Sequence, residues 1–348
     1  MRVLHVTRDL PPRVNGGISV AVGAVVGAQL AAGLEVLVLS FDAWRPRGGP
    51  RAAPLPETAG VARARAPEDL PAALARARAF LPDVVHVHDA ALAAMVCELT
   101  APRVLTLHVD HEAQRRLRNA DAPSRGELAQ RAAMEAAAAV IVPSAATGRD
   151  GAHVVPFGVE LPAERAHGDD LLYVGRFADV KGTAELFEAA RRIDAPIVVA
   201  GGLPDSPRAE RRWRARAPAN VRFDGWLDRD ALAARYRRAA VLIAPSWTET
   251  FGLAVAEAMS FGVPVVAAAA GALVERVEHE RSGLLVSPRD PIALAAAVER
   301  LRADPALRAQ LTRAARCRRQ RWSWAAHEAA TRAVYHAALA RRAPRPPR

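Results

Sequence analysis

The chain has 348 residues, enough for two domains, and its 51% hydrophobic and 24% charged content is typical of a globular protein. Its two cysteines, Cys97 and Cys317, form no CxxC pair, which argues against a disulfide framework or a structural zinc site and indicates a reducing compartment. No apolar stretch is long enough to cross a bilayer, and the first seven residues begin a strand pattern rather than a signal peptide. We therefore expect a cytoplasmic protein.

The net charge of +11 comes almost entirely from arginine, because only Lys181 among the 48 basic residues is lysine. Such a charge suits nucleic acid, an anionic membrane or an acidic substrate. No aromatic-interleaved basic patch accompanies it, so we expect no nucleic-acid partner. A single retained lysine indicates that a compact ammonium is needed at position 181, with chance retention as the alternative.

The chain opens with a strand, a glycine-rich turn, a helix and a second strand, which is the start of a Rossmann-type unit. The predicted bounds are 2–7, 18–32 and 34–40. Gly16 and Gly17 precede the helix, where glycine lets a ligand approach the backbone and leaves N–H groups free to bind it. The alternative is a helix entry that needs a positive φ. No G-x-G-x-x-G is present, which weakens a dinucleotide interpretation.

Further elements of the first half follow the same alternation. The predicted strands are 83–89, 103–108 and 140–143, the predicted helices are 67–81 and 124 to about 138, and the predicted loops are 41–60 and 109–123. His86 and His88 lie on one face of their strand. They could bind a metal together, or one could pack in the core while the other borders the cleft. His108 ends its strand, at the edge of the sheet where ligands bind.

A linker rich in proline, glycine and charge is predicted at 161–170, which divides the chain into domains 1–162 and 168–322. The second domain has predicted strands at 171–175, 197–202, 220–225, 240–244, 263–267 and 283–286, and Thr183 is predicted to cap the helix that follows its first strand. Residues 323–348 are predicted to form a last helix and a disordered basic tail.

One stretch of the second domain carries most of the chemistry. Glu249 follows a buried strand, and Glu257 lies one turn inside the next helix, which begins after Gly252. The N–H groups of Gly252, Leu253 and Ala254 would face an anion at this helix start. Carboxylates accept hydrogen bonds from adjacent hydroxyls, so the combination outlines a sugar nucleotide.

Two cations precede this stretch, again after a predicted strand. Gly175 and Arg176 follow the strand, and Lys181 stands five residues further on. Such a pair suits a diphosphate, and Arg176 can grip two of its oxygens. Asp228 and Asp230 fit a D-x-D metal pattern, but their place before a helix favours a helix N-cap at Asp228.

The segment E-x-F-G-x4-E-A-M from Glu249, followed by G-x-P-V-V, resembles the Glu-x7-Glu motif of retaining glycosyltransferases of family GT4 (glycosyltransferase group 1). The segments G-R…K-G at 175–182 and H-V-V-P-F-G-V at 153–159 are similar to further family segments, and in the latter Phe157 replaces an asparagine. The resemblance covers about residues 1–320. Ala272 and Val274 replace a glycine and a proline of the family, which puts the tightness of that turn in doubt.

The resemblance implies an α/β protein with the GT-B fold, in which two Rossmann-like domains with parallel sheets face a central cleft. The first domain would bind the acceptor and the second the nucleotide sugar, and the final helix would cross back to the first domain. The implied reaction moves a hexosyl group, with retention and without a metal or cofactor, from a UDP-sugar or less favourably a GDP-sugar. Its acceptor is a hydroxyl of a glycan, a lipid-linked sugar or a small molecule.

The resemblance also assigns roles to the candidate residues. Residues acting on the reaction would be Arg176, Lys181, Glu249 and His108. Residues binding the donor would be Gly16, Gly17, Gly175, Phe251, Gly252, Leu253, Ala254 and Glu257.

Two alternatives keep the same fold: a non-catalytic protein that binds nucleotide sugars, and a sugar-nucleotide epimerase. A separate expectation concerns five arginines that lie around one helix of the first domain, namely Arg115, Arg116, Arg118, Arg125 and Arg131. It predicts peripheral contact with anionic lipid on the inner face of the cell membrane, with a solvated basic face as the alternative.

Overall fold

The computed structural model describes residues 1–8, 10–11, 16–41, 55, 59–64, 67–162, 168–204 and 206–341, which fold into two α/β units. The first unit holds the described residues from Met1 to Gly158 and those from Trp324 onward, and the second holds those within Val159–Ser323. Most of the predicted loop 41–60, the middle of the predicted linker and the end of the tail lie outside the described residues.

The first unit is built on a seven-stranded parallel sheet with strand order β3-β2-β1-β4-β5-β6-β7. Its strands are β1 Arg2–Thr7, β2 Glu35–Ser40, β3 Gly60–Arg63, β4 Val84–Val87, β5 Arg103–Thr106, β6 Ala139–Val142 and β7 His153–Val154. Its helices include α1 Gly17–Ala31, α2 Leu70–Ala79, α3 His111–Leu117 and α4 Arg125–Glu135. Apolar clusters cover both faces of the sheet, which is why its strands read as continuous hydrophobic runs.

The second unit repeats this architecture with a six-stranded parallel sheet of order β10-β9-β8-β11-β12-β13. Its strands are β8 Asp170–Val174, β9 Ile197–Ala200, β10 Val221–Gly225, β11 Ala239–Ala244, β12 Val265–Ala268 and β13 Leu284–Val286. Its helices are α5 Thr183–Ala190, α6 Pro207–Arg214, α7 Arg229–Arg238, α8 Leu253–Ser260, α9 Leu273–Arg276, α10 Pro291–Ala303 and α11 Pro305–Arg318. The prediction of two parallel-sheet α/β domains is therefore confirmed.

The final helix, α12 Trp324–Ala340, belongs to the first unit. Its residues Val334, Tyr335 and Ala338 are buried in the same apolar cluster as Val3 and Val22. The last segment of the chain therefore completes a core that the first segment began.

Each sheet has one point where the strand order reverses. In the first unit this point lies between β1 and β4, and in the second between β8 and β11. The crevice outside the carboxyl ends of such strands is where open α/β sheets bind ligands. The residues that follow these four strands are therefore the candidate ligand-binding residues.

Two local predictions were wrong. The predicted loop 109–123 contains α3, which has no buried residue and so shows no apolar periodicity in the sequence. Thr183 was expected to cap α5, but Gly182 is the N-cap with a φ of 66°, and Thr183 is the first helical residue. The Thr183 hydroxyl instead accepts from the Ala178 N–H at 3.0 Å and donates to the Ala178 carbonyl at 3.2 Å, which stabilises the turn before the helix.

Candidate functional site

Two loops of the second unit meet where its strand order reverses, one following β8 and the other following β11. Gly182 makes the contact possible, because a Cβ on this residue would lie 2.1 Å from the carbonyl oxygen of Pro245. A 2.9 Å hydrogen bond from the Trp247 N–H to the Val180 carbonyl joins the same loops. The loop with the predicted phosphate-binding lysine thus lies directly against the loop with the first glutamate.

Lys181 and Glu249 form an ion pair in which the ammonium Nζ lies 2.7 Å from Oε1. The Ser246 hydroxyl donates to the same oxygen at 2.9 Å. The lysine side chain is 30% exposed and the glutamate 18%, so solvent and ligands can reach both groups. A diphosphate can compete for the ammonium, and sugar hydroxyls can bind the carboxylate.

Arg176 lies on the loop after β8, and its side chain is exposed. Within the described residues its guanidinium forms no ion pair. Its carbonyl accepts a 3.1 Å hydrogen bond from the buried Tyr173 hydroxyl, which fixes the backbone at this point. Gly175, just before it, packs closely against Gly201. A Cβ on Gly201 would lie 1.9 Å from the Gly175 carbonyl oxygen.

The start of α8 provides unsatisfied donors beside this pair of loops. Gly252 is the N-cap with a φ of 80°, and a Cβ on it would lie 2.8 Å from the side chain of Leu273. The N–H groups of Leu253 and Ala254 are in the first turn, where a helix offers no internal acceptor. Together with the helix dipole they favour an anion at this end.

The turn that follows β12 supports Glu249 from behind. Gly271 has a φ of 53°, and a Cβ there would lie 2.5 Å from the Glu249 carbonyl oxygen. Ala272 donates its N–H to that carbonyl at 2.8 Å and is fully buried. The turn is therefore tight although Ala272 and Val274 depart from the family pattern.

Glu257 lies on α8 and accepts a 2.8 Å hydrogen bond from the hydroxyl of Tyr236, a buried residue of α7. Burial raises the pKa of the Glu257 carboxyl to about 7, and the Tyr236 hydrogen bond opposes that rise. The carboxyl therefore changes charge near neutral pH. As a carboxylate it can accept hydrogen bonds from two neighbouring hydroxyls.

Phe251 does not present its ring to a ligand. The ring is 2% exposed and lies under the guanidinium of Arg276, whose carbon is 4.3 Å from the ring centroid. The Arg276 Nε also donates to the Phe251 carbonyl at 3.2 Å. A donor-binding role for Phe251 therefore has to come from its backbone.

Asp228 is the N-cap of α7, and its carboxylate accepts from the Ala231 N–H at 2.9 Å. Asp230 is an acidic residue of the first helical turn. The helix-cap interpretation of the D-x-D pattern is therefore confirmed.

The first unit brings histidines together at its own reversal point. His5 on β1 and His86 on β4 are partners in register, and His88 follows β4 directly. His108 lies two residues beyond the end of β5, with its Nε2 3.0 Å from Nδ1 of His88. The His108 ring stacks on Phe157, with centroids 5.2 Å apart and planes 10° from parallel.

These imidazoles are neutral at physiological pH. Burial lowers the pKa of His5 to about 4, and burial with the charge of His327 lowers that of His108 to about 3. Burial, followed by the neighbouring histidines, also holds the pKa values of His86 and His88 well below the usual range. The His108 ring is therefore uncharged.

Gly16 and Gly17 lie at the start of α1, after β1. Gly16 is the N-cap, and its φ of 154° is one that other residues rarely adopt. No side chain caps this end, and Gly17 is the first helical residue. The positive φ of Gly16 agrees with the alternative interpretation, in which glycine is needed for the backbone conformation at this helix entry. Contact with the donor stays a prediction.

Comparison with known proteins identifies the family. The model described as glycosyl transferases group 1 matches residues 163–318, and that described as Glycosyltransferase Family 4 matches residues 15–159. A glycogen synthase of Mycobacterium tuberculosis is 30% identical over 400 aligned residues, which cover 97% of this chain and 95% of that protein. The chain belongs to glycosyltransferase family 4.

Two other similarities bear on this family 4 glycosyltransferase. A D-inositol 3-phosphate glycosyltransferase of Pseudarthrobacter chlorophenolicus is 35% identical over 219 residues, covering 55% of this chain and 51% of that protein. The chain thus spans about half the length of such relatives. The structure of Anabaena HepE in complex with UDP-glucose has a TM-score of 0.75 and 19% identity, and covers 97% of this chain and 100% of that one. This likeness supports the GT-B fold.

The five arginines named for membrane contact are divided between α3, with Arg118 just after its end, and α4, and both helices contain carboxylates as well. Arg115 and Arg131 both pair with Glu127, at 2.8 and 2.7 Å, and Arg116 pairs with Glu112 at 2.5 Å. Much of the positive charge of this surface is therefore compensated locally, and membrane contact stays a prediction. Within the described residues, no helix combines the length and hydropathy that a bilayer span requires.

Sequence reasoning missed three residues that contact the predicted site. Tyr236 binds Glu257, Ser246 binds Glu249, and Phe157 stacks on His108. Tyr236 lies 21 residues from its partner, so no local spacing signals the contact. Phe157 left a signal, because it replaces the asparagine usual in the family segment at 153–159.

Proposed function

We propose that this protein is a retaining hexosyltransferase that uses a nucleotide-diphosphate sugar as donor and needs no metal. The acceptor would be a hydroxyl of a glycan, a lipid-linked sugar or a small molecule. Its membership of glycosyltransferase family 4 supports the reaction class. The donor, the acceptor and the stereochemistry of the reaction are part of the proposal.

The observation that carries the proposal is the grouping at the reversal point of the second unit. The ammonium of Lys181 pairs with Glu249, the exposed guanidinium of Arg176 follows the adjacent strand, and α8 begins beside them. Positive groups beside a carboxylate suit a ligand that has both phosphate and hydroxyl groups. A sugar nucleotide has this combination.

In the proposed reaction, the bond between the sugar's anomeric carbon and the diphosphate oxygen breaks while the acceptor oxygen attacks from the same face. The acceptor's proton passes to the departing phosphate oxygen, so charge and atoms balance. Lys181, Arg176 and the start of α8 stabilise the negative charge that grows on the diphosphate. Losing one such group typically reduces the rate by about 10²–10³.

The two glutamates position the donor in this scheme. Glu249 accepts hydrogen bonds from sugar hydroxyls, and Glu257 from the ribose hydroxyls. We favour a uridine nucleotide over a guanosine one, and the binding of UDP-glucose by HepE, a protein of the same fold, is consistent with that preference.

The proposal can be tested with water as the acceptor. The protein is incubated with UDP-glucose, and in parallel with GDP- and ADP-glucose, while the released sugar is followed by proton NMR before mutarotation. We expect α-glucose to appear first, from one nucleotide, at the same rate with and without EDTA. Initial release of β-glucose, loss of release in EDTA, or no release from any donor would contradict the proposal.

A further inference from the structure

A continuous chain of hydrogen bonds runs through the core of the first unit to His108. Oε1 of Gln29 lies 2.9 Å from Nε2 of His5, and Nδ1 of His5 lies 2.8 Å from Nε2 of His88. Nδ1 of His88 then lies 3.0 Å from Nε2 of His108. Gln29, His5 and His88 are each at most 5% exposed, so water does not interrupt the chain.

A second branch leaves the same glutamine. Nε2 of Gln29 donates to the hydroxyl of Tyr335 at 2.9 Å, and that oxygen lies 2.6 Å from Nδ1 of His86. Nε2 of His86 lies 2.7 Å from the hydroxyl of Thr106. Both branches therefore begin at Gln29 on α1, and Tyr335 on α12 is the first residue of the second branch.

A neutral imidazole carries one N–H, so each ring that donates at one nitrogen must accept at the other. The carbonyl oxygen of Gln29 can only accept, which places the proton of His5 on Nε2. The bare Nδ1 of His5 then accepts from Nε2–H of His88. By the same rule His108 donates its Nε2–H to Nδ1 of His88.

The Tyr335 branch is consistent with this orientation of the glutamine. Because the Tyr335 oxygen receives the amide N–H of Gln29, it is free to donate its own proton to Nδ1 of His86. Rotating the amide by half a turn would reverse every donor and acceptor in both branches. The direction of the whole network is thus decided at one side chain.

We propose that Gln29 and Tyr335 are positioning residues that fix His108 as its Nε2–H tautomer, with Nδ1 as a hydrogen-bond acceptor. A neutral acceptor nitrogen binds a hydroxyl and repels a phosphate oxygen. In the proposed glycosyl transfer, on which this step rests, a ligand group that bonds to Nδ1 of His108 would therefore be a sugar or acceptor hydroxyl rather than a diphosphate oxygen.

A metal site is the competing interpretation. His5, His86 and His88 each place one ring nitrogen within 4.8 Å of the others. Both ring nitrogens of all three residues, however, have hydrogen-bond partners at 2.6–3.0 Å. A metal ligand must present a bare lone pair, so binding would break several of these bonds in a buried core.

The tautomers can be read directly, without any substrate. The full chain is labelled with ¹⁵N in its histidine rings, and two- and three-bond ¹H–¹⁵N correlations are recorded at neutral pH, with exposed His336 as reference. We expect a protonated Nε2 and a bare Nδ1 at His5, His88 and His108. A protonated Nδ1 at His108, an imidazolium pattern, or ring shifts on adding one equivalent of Zn²⁺ would overturn the proposal.

Two variants test the anchor. Tyr335→Phe removes the hydrogen bond that Gln29 donates, and Gln29→Met removes the amide itself. In each variant the ring ¹⁵N shifts of His88 and His108 should move towards the average of the two tautomers. Thr331→Val removes another buried hydroxyl one turn earlier on α12 and should leave the pattern of wild type. Unchanged shifts in both anchor variants would exclude the positioning role. Because no donor is present, a failure of the proposed transferase activity leaves this test intact.

Discussion

The two glutamates of the family motif differ in the groups that control their charge. Glu249 is paired with Lys181 and Ser246, so its carboxylate is stabilised by donors. Glu257 has one phenol as partner and is largely desolvated. The same residue type therefore lies in two different environments, and burial raises the pKa of the Glu257 carboxyl to about 7.

The first prediction concerns stability against pH. Because burial raises the Glu257 pKa from 4.5 to about 7, the folded protein binds more protons than the unfolded chain between these values. Glu257 therefore stabilises the fold fully at low pH, and this contribution is lost as pH rises towards 7. In Glu257→Gln the decline in the free energy of unfolding from pH 4.5 to 7 should be shallower, measured by urea unfolding. An equal slope in both proteins would refute the shift.

The second prediction concerns Tyr236. Tyr236→Phe removes the hydrogen bond that favours the Glu257 carboxylate, so the pKa of that carboxyl should rise further. UDP affinity, if it requires the carboxylate, should then reach its plateau at a higher pH than in wild type. Calorimetric titrations between pH 6 and 9 provide the measurement. Tyr173→Phe, which loses a hydroxyl bonded to the Arg176 carbonyl instead, is the control: its affinity can fall at every pH, but the pH at which it reaches its plateau should match wild type.

At the residue scale the sequence was informative where the chemistry is local. Lys181, Glu249 and Glu257 stand out by type and spacing. Ser246 and Tyr236 do not, because a serine or tyrosine becomes a site residue only when the fold brings it to a carboxylate. The raised pKa of Glu257 likewise depends on burial that spacing cannot reveal.

At the scale of elements, the strands were predicted best. Parallel strands covered on both faces must be apolar throughout, so their positions survive in the sequence as short hydrophobic runs. Helix α3 was missed because it buries no residue, and the start of α5 was misplaced because a left-handed glycine, rather than a threonine side chain, begins it.

The third prediction tests the close approach of the two site loops. Gly182→Ala should destabilise the protein by more than 2 kcal/mol, since it combines a left-handed φ with a Cβ 2.1 Å from the Pro245 carbonyl oxygen. Gly225→Ala is the matched control, because its φ is 74° but nothing lies within 4 Å of the added carbon. Its cost should be about 1 kcal/mol. Equal losses in chemical denaturation would show that the loops can move apart freely.

At the scale of the molecule, the pattern predicted a Rossmann-type unit at the start of the chain and a linker between two domains, and the family resemblance implied that both domains are Rossmann-like. The place of α12 could not be derived in this way, because an amphipathic helix does not reveal which core it joins. Only the family resemblance indicated it. In the structure, Val334 and Tyr335 lie in the core of the first unit. Trp324 packs against Gly158, where an added Cβ would lie 2.5 Å from the indole ring of Trp324.

The fourth prediction follows from that placement. Val334→Ala should lower the free energy of unfolding by about 1–3 kcal/mol, because Val334 is 4% exposed within a packed cluster. Val154→Ala removes the same atoms from a residue that is 49% exposed and should change stability by less than about 0.5 kcal/mol. Similar values for both would mean that α12 contributes no core to the first unit.

The proposed nucleotide site is tested most directly by a thermal-shift panel of UDP, GDP, ADP and dTDP on wild type, Lys181→Ala and the control Arg212→Ala, with and without EDTA. A nucleotide at 100 times its dissociation constant stabilises by about 2.7 kcal/mol. We expect one nucleotide, UDP, to shift wild type and the exposed-residue control equally, to leave Lys181→Ala unshifted and to act equally with and without EDTA. No shift with any nucleotide, a shift that survives in Lys181→Ala, or one lost in EDTA would contradict it.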